Sequence, residues 1–137
     1  MNQYEQLFKK IDALVPNLAQ IEPGEGLKLT ADGFMDLHVD VLWHEKDKTT
    51  IAMAHYYKQN GDMVPDPEMQ IAVYPDRKMA EALTYQDSFG YREVYPEEGM
   101  VNPKAKTELN QFLNQWLNNI KMQGHKVEGS QSEGRAL

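Results

Sequence analysis

A long apolar stripe near the C-terminal end of the chain constrains its fold more than any other feature. The stripe has helical spacing and consists of Ala105, Leu109, Phe112, Leu113, Trp116, Leu117 and Ile120. Asn102 suits the N-cap, Pro103 the first helical position and Gly124 the C-terminal cap. Such a helix must cover a hydrophobic surface, and one face of a β-sheet is the most economical one. We therefore expect its middle, from Leu109 to Leu117, to be buried on a sheet.

Alternating residues upstream of this helix predict that sheet. Leu27 and Leu29 begin a short strand, and the next strand has an inward face that consists of Met35, Leu37, Val39, Val41 and Trp43. The charged residues 44–48 form a solvated hairpin loop, and further strands follow around residues 51–57, 69–73, 79–85 and 91–95. These runs predict an antiparallel meander of five or six strands.

A second amphipathic helix precedes the strands. Its apolar positions are Tyr4, Leu7, Phe8, Ile11, Leu14 and Val15, and Pro16 ends it. The sequence thus predicts one α+β domain, residues 1–124, with the N-terminal and C-terminal helices packed on one face of the sheet. Residues 125–137 are too polar to pack and are expected to be a flexible tail.

Composition and charge exclude several classes of function. A chain of 137 residues without cysteine has neither disulfides nor thiolate metal sites, and its formal net charge of −7 disfavours direct binding to nucleic acid. The first residues lack the basic flank and apolar run of a signal peptide, and no apolar stretch reaches bilayer length. We expect a cytoplasmic protein that does not contact a membrane.

Specialised polar residues are concentrated between residues 55 and 69, at the junction of two predicted strands. They are His55, Tyr57, Gln59, Asn60, Asp62, Asp66 and Glu68. The span from Gln59 to Glu68 is expected to be a loop that lies beside His55 and Tyr57 as one contiguous polar surface. Because loops on rigid scaffolds often carry function, these seven residues are the predicted binding site.

Two other interpretations of the same residues stay open. Asn-Gly-Asp followed by Asp-Pro is equally a pair of turns with side-chain caps. Alternatively, His55, Asp62, Asp66 and Glu68 could hold a divalent metal in a hydrolytic enzyme, although their spacing matches no known ligand loop. The sequence contains no Gly-x-Ser-x-Gly elbow and no glycine loop for phosphate. We therefore predict no catalytic residue, no metal and no cofactor.

Tyrosines on the predicted strands raise a nucleic-acid alternative. Side chains such as Tyr56, Tyr74 and Tyr91 could stack on bases in a nucleic-acid-processing accessory factor, but basic residues are not interleaved with them. Tyrosine is also an ordinary strand former. The sheet face that is richer in tyrosine is instead expected to be an interaction or homodimer surface.

Several segments resemble a family of small proteins of unknown function. The segment His55-Tyr-Tyr-x-Gln-Asn-Gly-Asp-x-x-x-Asp-Pro-Glu-Met69 and the runs 80–86 and 102–117 resemble a family carried by phages, plasmids and integrated elements. The helix segment Asn110-Gln-Phe-Leu-x-x-Trp-Leu117 is also similar to a second, chromosomal family of unknown function. The resemblance covers roughly residues 30–124. It implies a mobile-element setting and an α+β fold, and it implies no catalytic residue.

Taken with the small size and the acidity, the resemblance favours a non-enzymatic accessory protein that binds another protein. Its most concrete form is an anti-defence factor, such as an anti-CRISPR-like inhibitor, that occupies a basic nucleic-acid-binding surface of a host protein.

Overall fold

The computed structural model describes residues 1–128 and has the α+β architecture that the sequence predicts. The two helices are α1 (Gln3–Leu14) and α2 (Pro103–Gln123), with a short 3-10 turn at Leu18–Gln20. The eight strands are β1 (Gly26–Thr30), β2 (Leu37–His44), β3 (Thr49–Gln59), β4 (Asp62–Tyr74), β5 (Met79–Ala82), β6 (Thr84–Asp87), β7 (Gly90–Glu93) and β8 (Lys126–Val127). The sequence predicted only five or six strands.

Both helices begin at asparagine caps. Asn2 accepts a hydrogen bond from the backbone N–H of Glu5 at 2.8 Å, and the Glu5 carboxylate accepts one from the Asn2 N–H at 2.9 Å. Asn102 accepts from the Ala105 N–H at 3.1 Å. At the other end of α2, Gly124 has a φ of 86°, which a glycine adopts without strain. The predicted ends of α2 are confirmed.

All strand pairs are antiparallel, in the order β7-β6-β4-β3-β2-β1-β8, and β5 pairs with a second part of β4. Both helices pack on one face, as predicted. The core between helices and sheet includes Leu7, Ile11, Leu29, Leu37, Val39, Val41, Ile51, Met53, Met69, Ile71, Val73, Leu109, Leu113, Trp116 and Leu117. We call the face that carries Leu37, Val39, Ile51, Met53, Met69 and Ile71 the covered face, and the opposite one the open face.

The predicted inward face of β2 is wrong at both of its ends. Met35 precedes the strand and is 46% exposed. A register shift between Val41 and Trp43 pairs Trp43 with Thr50, which places Trp43 on the open face with 47% of its surface exposed. Simple alternation cannot anticipate this, because one extra residue in a strand reverses every side chain beyond it.

The predicted strand at residues 79–85 is two strands. Leu83 separates β5 from β6, and its backbone N–H donates to Gln70 O at 2.8 Å while its carbonyl accepts from the Val94 N–H at 2.8 Å. Both short strands therefore lie along the same edge of the long strand β4.

Residues 125–128, which the sequence assigned to the tail, take part in the fold. His125 is buried, β8 pairs with β1, and the Glu128 carboxylate lies 3.1 Å from Lys28 Nζ. The rest of the predicted tail, residues 129–137, lies outside the described residues. Within residues 1–128, no helix is both long enough and apolar enough to cross a membrane.

Candidate functional site

The predicted loop from Gln59 to Glu68 is mostly a β-hairpin. Strand β3 pairs with β4 as far as Gln59 and Asp62, so the turn itself is only Asn60 and Gly61. Both turn residues have positive φ, 53° and 87°, as a two-residue type I′ hairpin turn requires. The positive φ that the turn requires thus accounts for the presence of Asn60. The expected loop is wrong because polar residues at turn-like spacing also fit the exposed end of a long hairpin.

The hairpin divides the predicted site between the two faces of the sheet. His55, Tyr57 and Gln59 alternate on the covered face, where Gln59 pairs with Asp62. Glu68 pairs with Ala54 and therefore belongs to the open face. The seven residues do not form one contiguous surface. Whether any of them binds a partner stays a prediction.

His55 has a structural position beside α2. Its Nδ1 lies 2.8 Å from the backbone carbonyl of Asp36, and its Nε2 accepts a hydrogen bond from Trp116 Nε1–H at 3.1 Å. Because the carbonyl can only accept and the indole can only donate, the ring is neutral with its proton on Nδ1. Burial lowers the pKa of His55, against the opposing effect of the Asp36 carbonyl.

His55 belongs to a row of aromatic rings along the covered face. The ring centroids are 6.2 Å apart for His125 and His55, 5.5 Å for His55 and Trp116, 5.9 Å for Trp116 and Phe112, and 5.1 Å for Phe112 and Tyr85. These spacings are those of packed aromatic pairs. The row packs α2 against the sheet, and His55 is part of this packing. We therefore assign His55 a structural role.

Asp66 lies in the irregular part of β4, where the register with β3 shifts between Ala54 and Tyr56. Its Oδ2 accepts a hydrogen bond from Ser88 Oγ at 3.2 Å. Burial raises the pKa of Tyr85 to about 12, with further contributions from its hydrogen bond to Asp87 and from the charges of Asp87 and Asp66. Asp66 therefore contacts the β6–β7 turn and does not form one site with Glu68.

Residues 1–128 hold no group of three histidine, aspartate or glutamate side chains that could hold a metal ion. His55 uses both ring nitrogens within the fold, and Glu68 faces the other side of the sheet. The metal set that the sequence left open, His55 with Asp62, Asp66 and Glu68, is not assembled by this fold.

The open face has small side chains at its centre. Thr50, Ala52, Ala54 and Ala72 are buried there without a helix above them. Their larger neighbours surround and shield them, and these neighbours are His38, Asp40, Trp43, Tyr56, Glu68, Gln70 and Tyr74. The centre of the open face is therefore recessed relative to its rim.

One polar group on the open face is formed by residues from three strands. The rings of His38 and Tyr56 pack edge to face with centroids 5.0 Å apart. Burial raises the pKa of Tyr56, and the negative charges of Glu68 and Asp40 raise it further. The two carboxylates therefore lie near enough to Tyr56 to disfavour the ionised form of its phenol.

A second group lies at the edge formed by β5. Glu81 accepts a hydrogen bond from Tyr74 Oη at 2.8 Å and another from Tyr95 Oη at 2.5 Å. Burial and these hydrogen bonds raise the pKa of both phenols. Both tyrosines therefore stay protonated as donors, and they are not activated as nucleophiles or bases.

The sequence singled out Glu68 but missed its neighbours. Asp40 and His38 occupy the polar positions of an alternating strand, which is also the pattern of ordinary solvent exposure. Tyrosine gave only a weak signal, because Tyr56, Tyr74 and Tyr91 lie on the open face but Tyr57 and Tyr85 lie on the covered face. The pairing of three strands, which brings these residues together, is not visible in any one segment.

A model of one protein family, described as a domain of unknown function (DUF6908), matches residues 9–126. Comparison with curated proteins and with solved structures gives no match.

Proposed function

The chain belongs to the DUF6908 family, a domain of unknown function, and we propose that it acts by binding another protein through the open face of its sheet. The observation that supports this proposal most is the contrast between the two faces of one sheet. Both helices pack on the covered face, whereas the open face presents aromatic and acidic side chains to solvent. The proposal involves no reaction step.

The charge on the open face defines the chemistry of the partner. Strand alternation places the carboxylates of Asp40, Glu68, Glu81 and Glu93 on this face. It places three lysines there, Lys28, Lys58 and Lys126, and Lys28 lies 3.1 Å from the carboxylate of Glu128. An acidic surface of this kind favours encounter with a basic protein surface.

Aromatic side chains on the same face can supply the contact energy. Trp43 is 47% exposed and Tyr91 is 55% exposed, and both extend from strands. Tryptophan and tyrosine are the residues most enriched at the energetic centres of protein interfaces. Since strands hold these side chains, little conformational freedom is lost on binding.

The finer form of the proposal is an anti-defence protein of a phage or other mobile element that acts in the host cytoplasm. It would cover a basic nucleic-acid-binding surface of a host protein. The support for this form is the acidity of the chain and of the open face, together with the sequence resemblance to proteins of mobile elements. Expression of the protein in a host with active immunity against a challenging phage should raise the yield of that phage.

Affinity capture with matched variants tests the proposal. Wild-type protein is immobilised, a bacterial host lysate is passed over it, and bound proteins are eluted with a salt gradient. The open-face variant is Asp40→Asn with Glu68→Gln. The control is Glu97→Gln with Glu98→Gln, which removes the same charge from an exposed loop that belongs to no strand of the sheet. We expect a basic protein that elutes with salt, is retained by the control and is lost with the open-face variant.

Equal retention of the captured protein by both variants would assign binding to another surface. A second copy of the chain is the other occupant to consider. Light scattering at micromolar concentration would then give a dimer mass that the open-face variant reduces to a monomer mass, and this result would replace the basic partner with self-association.

A further inference from the structure

A basic cavity lies between the two helices, on the side of the molecule away from the open face. Its volume is about 620 Å³, and its lining includes Lys9 and Lys10 of α1, Lys121 of α2 and Lys126 of β8. These are four of the 14 basic residues of a chain whose net charge is −7. No Asp or Glu of residues 1–128 lines it. From this segregation of charge we infer that the cavity binds a small amphiphilic anion.

The walls of the cavity follow from helix geometry. On α1, Lys9 and Lys10 share a stripe with Gln6, Ala13 and Leu14, at spacings of three and four residues that place side chains on one side of a helix. Along α2, Leu117 and Lys121 are one turn apart. Lysines thus stand above an apolar floor that includes Leu14 and Leu117.

The lysines are available to a ligand. Among residues 1–128, the ion pairs join other side chains, and none of the four cavity lysines takes part in one. Lys10 donates to the side-chain carbonyl of Asn114, a neutral acceptor that leaves its charge uncompensated. Lys9 and Lys121 are exposed on the rim, whereas Lys126 reaches the lining from β8 with its side chain directed toward the open face.

The C-terminal end of α2 does not repel an anion bound in this cavity. The C-terminal carbonyls of a helix carry partial negative charge when they have no partners. In α2, the Gly124 N–H donates to the carbonyls of Ile120 and Lys121, and the His125 N–H donates to Ile120 O at 3.2 Å. These bonds and the charge of Lys121 offset the negative end of the helix.

The chemistry of the cavity selects a small molecule over a polyanion. Its volume lies within the range typical of small-molecule sites, about 300–1,000 Å³. Among its described lining residues, no Phe, Tyr or Trp offers a ring on which a base could stack. The negative charge of the rest of the protein repels a long nucleic acid. A ligand with an apolar body and one carboxylate, sulfonate or phosphate matches both the apolar floor and the basic rim of the cavity.

Two dyes that share a ring system test this inference on the full chain. 8-Anilinonaphthalene-1-sulfonate carries a sulfonate, and N-phenyl-1-naphthylamine is its uncharged counterpart. The cavity variant is Lys9→Gln with Lys121→Gln, and the control, Lys46→Gln with Lys58→Gln, removes the same charge from two exposed lysines elsewhere. Lys121 is substituted rather than Lys126, because the Lys126 side chain extends from β8 toward the open face. We expect the cavity variant to weaken binding of the sulfonate dye about tenfold or more and the control to change it less than twofold.

Neither variant should alter binding of the uncharged dye. In the wild-type protein, saturating sulfonate dye should shift the methyl NMR signals of Leu14 and Leu117, and added salt should weaken binding. The inference is overturned if the sulfonate dye does not bind, if both lysine variants bind it as wild type does, or if the shifted methyl signals lie away from this cavity. The methyl test needs no variant, so it decides the matter even if a substitution disturbs folding.

Discussion

The two faces of the sheet are made by the same strands, yet they carry different side chains for different purposes. On β3, Ile51 and Met53 point to the helices and are buried in a large apolar core. Their neighbours Ala52 and Ala54 point to the open face, where polar and aromatic side chains surround them. The covered face therefore supplies most of the stability of the fold, whereas the exposed side chains of the open face can change with little effect on folding.

The two tryptophans provide the largest expected contrast between the faces. Trp116 is 6% exposed and donates to His55, whereas Trp43 is 47% exposed on the open face. Trp116→Ala should lower the free energy of unfolding by about 3–5 kcal/mol, because it opens a cavity in the core and removes a hydrogen bond. Trp43→Ala should lower it by less than about 1 kcal/mol. Urea unfolding followed by circular dichroism measures both, and similar losses would contradict the division.

Gly26 tests how closely the open face is packed at its β1–β2 pair. A Cβ built there would lie 2.0 Å from Asp40 Oδ1 and 2.7 Å from the backbone carbonyl of Val39. Since Val39 belongs to a core strand, Gly26→Ala should destabilise the protein by about 1–3 kcal/mol.

The matched control for Gly26 is Gly90→Ala, since a Cβ at Gly90 meets nothing within 4 Å. It should leave the unfolding midpoint almost unchanged. Equal melting temperatures for the two variants would show that β1 can move away from β2 without loss.

Asp62 and Glu68 separate the two faces within the hairpin. Both were predicted as binding residues, but Asp62 lies at the tip on the covered side and Glu68 lies on the open face. Glu68→Ala should weaken binding of the captured partner about tenfold, or roughly 1.4 kcal/mol. Asp62→Ala should weaken this binding less than twofold. Calorimetric titration measures both affinities. A larger loss for Asp62 would move the binding surface to the tip of the hairpin.

His55 gives the covered face a dependence on pH. Its pKa is lower in the folded protein than the ordinary value of 6.5, so the unfolded chain binds the proton more tightly. The contribution to stability is therefore complete above pH 6.5 and is lost as the pH falls below it.

His55→Gln should make the free energy of unfolding fall less steeply between pH 7 and pH 5, because glutamine can accept from Trp116 without titrating. Urea unfolding at several pH values measures the slope. Parallel curves for the two proteins would show that His55 does not contribute to it.

The sequence predicted those features that local rules determine. Helix α2 begins at Asn102-Pro103 and ends at Gly124 because caps depend on adjacent residues. The sheet face predicted for Trp43 was wrong because a register shift depends on the partner strand. The open-face group around Tyr56 could not be predicted for the same reason, since β2, β3 and β4 each supply part of it. Polar residues at 59–68 resembled a loop because an exposed hairpin and a loop use the same residue types.

Fluorine NMR of the protein labelled with 5-fluorotryptophan tests the division between the faces most directly. The two tryptophans give two signals, and the Trp43→Phe variant assigns them. On addition of the captured partner, the Trp43 signal should shift or broaden and the Trp116 signal should stay in place. A shift of the Trp116 signal with the Trp43 signal unchanged would show that the partner does not bind through the open face.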